Sequence, residues 1–365
     1  MPHPETTATI PVREGEDFDR ERLLAYLREH LPEIPAGPLE VRQFPTGASN
    51  LTYLLRVGEW EGVLRRPPLG PVPPRAHDME REGELLRRLH RVYPLAPRPF
   101  LVCTDPEVLG SAFSVMEHRR GVVVDARLPE GVAPTAETGR AVADAVVGTL
   151  VELHRVDYRA AGLEDLGRPE GFLERQVEGW TGRYQKARTD EVPGADALMA
   201  WLRGSVPASP AATVIHNDFK LNNLLFDPES LEVTAVLDWE MAAIGDPLLD
   251  LAVFLSYWVD PRDPPALRAM LPSVTTLPGF PGRDEVQAAY ARRSGRDLSE
   301  LPWYLTFAYF KLAVILQQIY ARWVRGQTRD ERFAAFGGAV RTLIAHAHGR
   351  VPGSGQERGP DREVR

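Results

Sequence analysis

The run Val214-Ile215-His216-Asn217-Asp218-Phe219-Lys220-Leu221-Asn222-Asn223-Leu224-Leu225-Phe226 sets polar, reactive side chains between two apolar stretches. An apolar lead into a polar loop, followed by a short strand, is a way to hold a carboxylate still. On such a loop Asp218 can accept the proton of a hydroxyl as its oxygen attacks. Asn223 offers a neutral oxygen of the kind magnesium takes. Lys220 can balance charge on a phosphoryl group in transit. A second carboxylate follows, where the apolar stretch from Val233 to Leu237 ends on Asp238, with Trp239 and Glu240 behind it. A carboxylate at a strand end beside the first loop can hold magnesium on phosphate oxygens. Third comes Gly245-Asp246-Pro247-Leu248-Leu249-Asp250-Leu251-Ala252, an acidic turn entering a helix. Singly, a His-x-Asp is common and an Asp-Trp at a strand end makes an ordinary cap. The three in order, in strand–loop context, point to phosphoryl-transfer chemistry.

The elements that must position these residues change character along the chain. Apolar spacing at Phe18, Leu23, Leu24 and Leu27 predicts a helix over 18–30. A strand is expected at 39–44, a turn of small residues at 47–50, and a hairpin with strands 51–57 and 62–66 around 58–61. A helix over 78–90 places Met79, Leu85, Leu86 and Leu89 on one face, and 113–116 reads as a strand. Beyond 118–121 helices dominate. They are expected at 135–154 (Val142, Val146, Leu150 and Leu153 on one face), 198–203, 304–325 and 332–346, with strands only at 223–226 and 233–237. The fold class is therefore α+β. A strand-rich N-terminal lobe spans 18–118, a mostly helical lobe spans 119–352, and flexible tails are expected at 1–17 and 353–365.

Length and composition agree. A chain of 365 residues suits two compact units. The net charge of −8 and a pI near 5.7 disfavour duplex nucleic acid as a partner. A single cysteine, Cys103, excludes an internal disulfide and a cysteine zinc cluster. No run of about 18 apolar residues occurs and the first residues carry no apolar signal core, so a cytoplasmic protein with no membrane partner is expected. Oligomeric state is not legible.

The segment HNDFKLNNLLFD, followed by VLDWEMAAIGDPLLDLA, resembles the aminoglycoside phosphotransferase and choline kinase superfamily, which has a protein-kinase-like fold of two lobes. It is most similar to the branch of kinase domains linked to acyl-CoA dehydrogenases. The resemblance runs from about Val41 to Tyr257. It implies ATP and Mg2+ as cofactors. Asp218 would be the catalytic base, Asn223 and Asp238 would bind magnesium, and His216 would support the loop by hydrogen bonds. At least one of Asp246 and Asp250 would brace that loop.

Upstream, Gly47-Ala48-Ser49-Asn50 resembles the family's nucleotide loop, where small residues let backbone N–H groups approach phosphate, with Ser49 and Asn50 in contact. Val63-Leu64-Arg65 matches the strand bearing a phosphate-contacting cation. Arginine stands where the kinase pattern has lysine, and its fork can grip phosphate with two bonds. Arg66 should face the other side of the strand. Glu82 would pair with Arg65, Glu80 being the fallback. Val115-Met116-Glu117-His118 resembles the hinge, whose backbone would bind adenine with Met116 packed nearby.

The implied activity is transfer of the γ-phosphoryl group of ATP to a hydroxyl of a small molecule. Over residues 255–350, twelve arginines and one lysine face eight acidic residues, a balance of +5 in a chain of −8. A polycationic aminoglycoside would favour an acidic pocket, so an anionic or neutral acceptor such as a hydroxyacyl-CoA is expected, with an aminoglycoside or amino alcohol as alternatives. An inactive nucleotide-binding module is the rival of another class, and intact Asp218, Asn223 and Asp238 argue against it. A protein kinase is disfavoured by the single-glycine loop and by Trp239-Glu240 where Phe-Gly would stand. Without a His-rich ligand set, a metal-dependent hydrolase is more distant. His154, Cys103, Trp258, Trp303 and Trp323 read as core, and His346 and His348 as lying near a frayed end.

Overall fold

The computed structural model describes residues 9–45, 50–68, 78–328 and 330–353. In chain order the strands are β1 (Glu40–Gln43), β2 (Leu51–Val57), β3 (Trp60–Arg66), β4 (Pro99–Cys103), β5 (Phe113–Glu117), β6 (Thr213–Ile215), β7 (Leu224–Phe226), β8 (Val233–Val236) and β9 (Ala243–Gly245). The first helices are α1 (Arg20–His30), α2 (Met79–Leu89), α3 (Pro106–Leu109), α4 (Ala136–His154), α5 (Phe172–Ala187) and α6 (Ala195–Gly204). After them come α7 (Pro247–Tyr257), α8 (Pro265–Met270), α9 (Arg283–Ser294), α10 (Leu301–Val324) and α11 (Phe336–His348).

The chain forms two compact units that share it unevenly. One comprises Met1–Ala133, Asp144–Gly167 and Leu221–Ala243; the other comprises Pro134–Ala143, Arg168–Lys220 and Ile244–Arg365. The short β7–β8 hairpin thus belongs with the strand-rich first third, far upstream.

In the strand-rich unit an antiparallel five-stranded sheet runs β1-β2-β3-β5-β4. Its register pairs Leu51 with Arg66, Thr52 with Arg65 and Val57 with Trp60. The β2–β3 hairpin therefore closes on Gly58-Glu59 alone, and β3 begins two residues earlier than the sequence suggests. Gly58 takes φ 56°, which such a tight loop requires and glycine adopts without strain. Alternate residues of the sheet pack with α1 into a core containing Leu23, Leu27, Tyr53, Leu55, Leu64, Phe113 and Val115. On α2, Met79, Leu85, Leu86 and Leu89 are buried, as their spacing predicts. Strand β4 was not anticipated, because its five residues sit in an irregular, proline-bounded stretch with no alternation.

Part of the expected N-terminal tail is tied down. Ile10 and Gln43 exchange two backbone hydrogen bonds, and the Gln43 amide donates to Glu16 at 2.5 Å. The Tyr53 hydroxyl and the Arg66 guanidinium both donate to the Glu16 carbonyl. Gln43 and Arg66 are buried polar groups that need partners, and this segment supplies them.

The helical unit centres on α10, whose buried residues include Tyr304, Phe307, Tyr309, Phe310 and Val314. It packs against α11, α7 and α5. The last long helix starts at Phe336, after a 3-10 turn at Glu331–Ala335, rather than at 332. His346 lies inside that helix with its ring 4.5 Å from Tyr309, so it is packed, not frayed. His154, Cys103, Trp258 and Trp303 are all buried, whereas Trp323 is half-buried and stacks on Tyr320. Among the described residues no helix is long and apolar enough to cross a membrane.

Candidate functional site

In the helical unit, β6 delivers the chain into the loop at His216. The His216 and Asn217 amides donate to the two carboxylate oxygens of Asp250 at 2.7 and 2.6 Å. Asp250 stands in the first turn of α7 and is fully buried. One carboxylate spanning two successive amides fixes the local direction of the chain. Asn217 itself has φ 66°, a left-handed conformation that asparagine tolerates better than most residues. Its side-chain oxygen accepts from the Lys311 ammonium at 2.8 Å. His216 is buried edge-on against Phe219, at 6.0 Å between ring centroids.

Asp218 follows directly. Its carboxylate is about a quarter exposed and meets the Lys220 ammonium at 2.8 Å. Lys220 also lies 5.2 Å from the centroid of the Tyr257 ring. Burial pushes the Tyr257 hydroxyl up to about 12, a shift Lys220 opposes and Asp218 reinforces, so Tyr257 remains a neutral wall of this corner. Asp246 caps α7 by accepting from the Leu248 amide at 2.8 Å, and also accepts from the Tyr304 hydroxyl at 2.7 Å. Of the two acidic-turn residues, Asp250 braces the loop and Asp246 anchors the helix that carries it.

A second cluster lies in the strand-rich unit. Arg65 on β3 is buried and forks between two carboxylates: one nitrogen donates to Glu82 of α2, the other to Asp238 at 2.6 Å. Burial opposes a charged Arg65, but Glu82, Asp238 and Glu240 outweigh it and hold the guanidinium more firmly protonated. Burial, with Asp238 and Glu240 close by, pushes the Glu82 carboxyl up against the pull of Arg65. Arg66 points to the opposite side, where it donates to the Tyr53 hydroxyl and lies over the Phe18 and Tyr53 rings. Glu80 makes no such pair, because α2 turns Glu82 inward and leaves Glu80 exposed.

Asp238, like Asn217, is left-handed at φ 66°. The Leu237 amide beside it donates to the Asn223 carbonyl at 2.8 Å, so the ends of β7 and β8 bring the Asn223 and Asp238 stretches of backbone side by side. Their donors are hard oxygens, suited to magnesium. Among the described residues no group of three or more His, Cys, Asp or Glu could hold a metal. Magnesium is usually held by one or two carboxylates together with substrate phosphates and water. Asn50 donates to Glu240 at 3.0 Å. Ser49 lies outside the described residues. Met116 is buried in β5 opposite Val63. The Glu117 amide donates to the Arg98 carbonyl, its carboxylate accepts from the Arg98 amide, and His118 meets the Glu61 carboxylate at 2.8 Å. The side chains of Glu117 and His118 are thus engaged by protein.

Reading the sequence alone missed Lys311 as the partner of Asn217. It also missed Glu240. A lysine in the middle of a wholly apolar helical face was the available signal.

This chain belongs to the phosphotransferase enzyme family (APH), whose model matches residues 40–304. It is 36% identical over 334 residues to acyl-CoA dehydrogenase family member 11 of Homo sapiens, an overlap covering 89% of this chain and 42% of that protein. The chain spans less than half the length of such curated relatives. Among solved structures, a chain from Ralstonia eutropha, named provisionally as an aminoglycoside phosphotransferase, is 33% identical with a TM-score of 0.77, covering 92% of this chain and 98% of that one. A thermostable mutant of aminoglycoside phosphotransferase APH(4)-Ia, in ternary complex with AMP-PNP and hygromycin B, is 18% identical with a TM-score of 0.58, covering 91% and 99%. At that identity the fold is what is shared: an α+β, protein-kinase-like phosphotransferase fold.

Proposed function

We propose that the protein is a small-molecule kinase that uses MgATP to phosphorylate a hydroxyl group. The observation that carries this reading is the braced loop, with Asp250 holding the two amides that precede Asp218. A carboxylate fixed this way is prepared to accept a proton without reorganising. In the reaction Asp218 takes the proton of the acceptor hydroxyl. The hydroxyl oxygen bonds to the γ-phosphorus, the bond from that phosphorus to the β–γ bridging oxygen breaks, and ADP leaves. Lys220 offsets charge beside Asp218. Arg65 orients phosphate oxygens, and Glu82 holds Arg65. Asn50 and Ser49 would contact the phosphates, and backbone groups around Met116, Glu117 and His118 other than the Glu117 amide, which is given to the Arg98 carbonyl, would receive the adenine. Asn223 and Asp238 are the residues that would hold magnesium, whose chemistry is to neutralise phosphate charge.

For the acceptor we favour an anionic or neutral alcohol of the hydroxyacyl-CoA type. The balance of +5 over residues 255–350 supports this. Pairs such as Arg262–Asp260 and Arg283–Asp263 cancel within that sum and leave it unchanged. The likeness to proteins named as acyl-CoA dehydrogenase family members favours the same class, and the likeness to aminoglycoside phosphotransferases favours the alternative. The test is ADP release from MgATP with hydroxyacyl-CoAs, aminoglycosides or amino alcohols, using Asp218→Asn as the blank. Turnover with one set, lost in the variant while nucleotide still binds, is the expected result. Nucleotide binding with no turnover for any set would favour an inactive module, and failure to bind MgATP would overturn the reading.

A further inference from the structure

We propose that Lys311 is a positioning residue for phosphoryl transfer, its ammonium clamping the Asn217 side chain and with it the left-handed turn that presents Asp218. The role rests on the kinase reading of Asp218.

Helix α10 is apolar around this position: Ala308, Tyr309, Phe310, Leu312, Ala313 and Val314 are all buried. Lys311 is itself only 4% exposed. Placing an ammonium there costs several kcal/mol in lost hydration, and a methionine of similar shape would avoid that cost. Packing therefore does not account for the charge. Its partners do. The ammonium donates to Asn217 Oδ1 at 2.8 Å and lies 5.3 Å from the centroid of the Trp180 ring on α5. Asp250 and Asp218 supply the favourable field around it, against Arg183 of α5.

The clamp acts on a residue already held from the other end. Asn217 gives its amide to Asp250 and receives Lys311 on its side chain, and its φ of 66° is a conformation the backbone leaves readily once released. The residue after it is Asp218. Rotation of Asn217 out of the left-handed region would redirect that carboxylate, and a displacement of about 1 Å at a reacting group costs on the order of a hundredfold in rate. Lys311 also balances the buried charge of Asp250, so the brace and the clamp form one unit.

The test uses Lys311→Met, Asn217→Gly and the double variant in the full chain. Glycine accepts the left-handed φ, so Asn217→Gly removes the hydrogen bond without adding strain and keeps the ammonium. Each single variant is expected to lower kcat by roughly 10–100-fold while the KM for MgATP stays within about twofold, and the double variant is expected to be no worse than the weaker single. Amide hydrogen exchange should quicken at His216, Asn217 and Asp218 and stay unchanged in the β2–β3 hairpin. Multiplicative losses, a rise in KM with kcat intact, or unchanged exchange at these amides would each overturn the proposal. If Lys311→Met unfolds, Asn217→Gly decides alone. If the wild-type chain phosphorylates nothing, the kinase reading falls, and hydrogen exchange still decides whether Lys311 holds the loop.

Discussion

Arg65 shows how much one side chain can be asked to do. A single planar fork reaches Glu82 and Asp238 at once, which the point charge of a lysine cannot reproduce. Arg65→Lys is expected to raise the KM for MgATP about tenfold, consistent with loss of one charge-assisted bond worth roughly 1.5–3 kcal/mol, with a smaller effect on kcat. Steady-state kinetics at fixed acceptor would check this. Lys311 gives a pH signature. Burial lowers its ammonium to about 8 from 10.5, a shift Asp250 and Asp218 oppose and Arg183 reinforces. A lysine lowered on folding binds fewer protons in the native state than in the unfolded chain, so its contribution makes stability rise with pH between about 8 and 10.5, by at most about 1.4 kcal/mol per pH unit. Urea unfolding of wild type and Lys311→Met across that range should differ in slope by this amount. Activity should move the other way, because the neutral amine grips Asn217 less firmly.

At the scale of elements, helix α2 matters because it delivers Glu82, and its seat on the sheet is set by Gly83. A Cβ at Gly83 would lie 2.2 Å from Val102 Cγ2 on β4, too close to be accommodated unless the Val102 side chain or the helix shifts. Gly179 sits on α5 with nothing within 4 Å of the same atom. The two alanine substitutions are therefore expected to diverge. Gly179→Ala should stabilise by about 0.5–1 kcal/mol through helix propensity, raising Tm by roughly 1–3 °C. Gly83→Ala gains the same propensity but loses packing, and should lower Tm and weaken MgATP binding together. Calorimetry with a nucleotide titration would check both. Sequence periodicity located α2 and its buried face. It gave no account of Gly83, since the atom that forbids a side chain there comes from β4, a strand whose own pattern was unreadable.

For the whole molecule, the question is what charge the acceptor carries. If the excess of arginine over residues 255–350 serves an anionic acceptor, raising salt from 0.05 to about 0.3 M should raise the acceptor KM several-fold and leave kcat in place, because screening acts on the encounter of charges. A neutral acceptor would leave its KM unchanged over the same range. The chain matches relatives more than twice its length, so the same titration on a longer relative would show whether the preference belongs to this unit of the fold.

Legible in local sequence were the loop from His216 to Asn223, the carboxylate after β8, the acidic turn before α7, and an α+β chain in which β1–β5 lie ahead of α4 and all later helices. Each of these is local, encoded in neighbouring residue types or in a period of 2 or 3.6. Tertiary structure decided who meets whom. It turned Arg65 rather than Arg66 toward Glu82, gave the brace to Asp250 and the helix cap to Asp246, tied residues 10–16 to the sheet, and put Lys311 on Asn217, ninety-four positions away. A hydrogen bond across that separation leaves no trace in local composition. Only the packing of α10 against its neighbours, with the dehydration it imposes on a charge, makes such a partner obligatory.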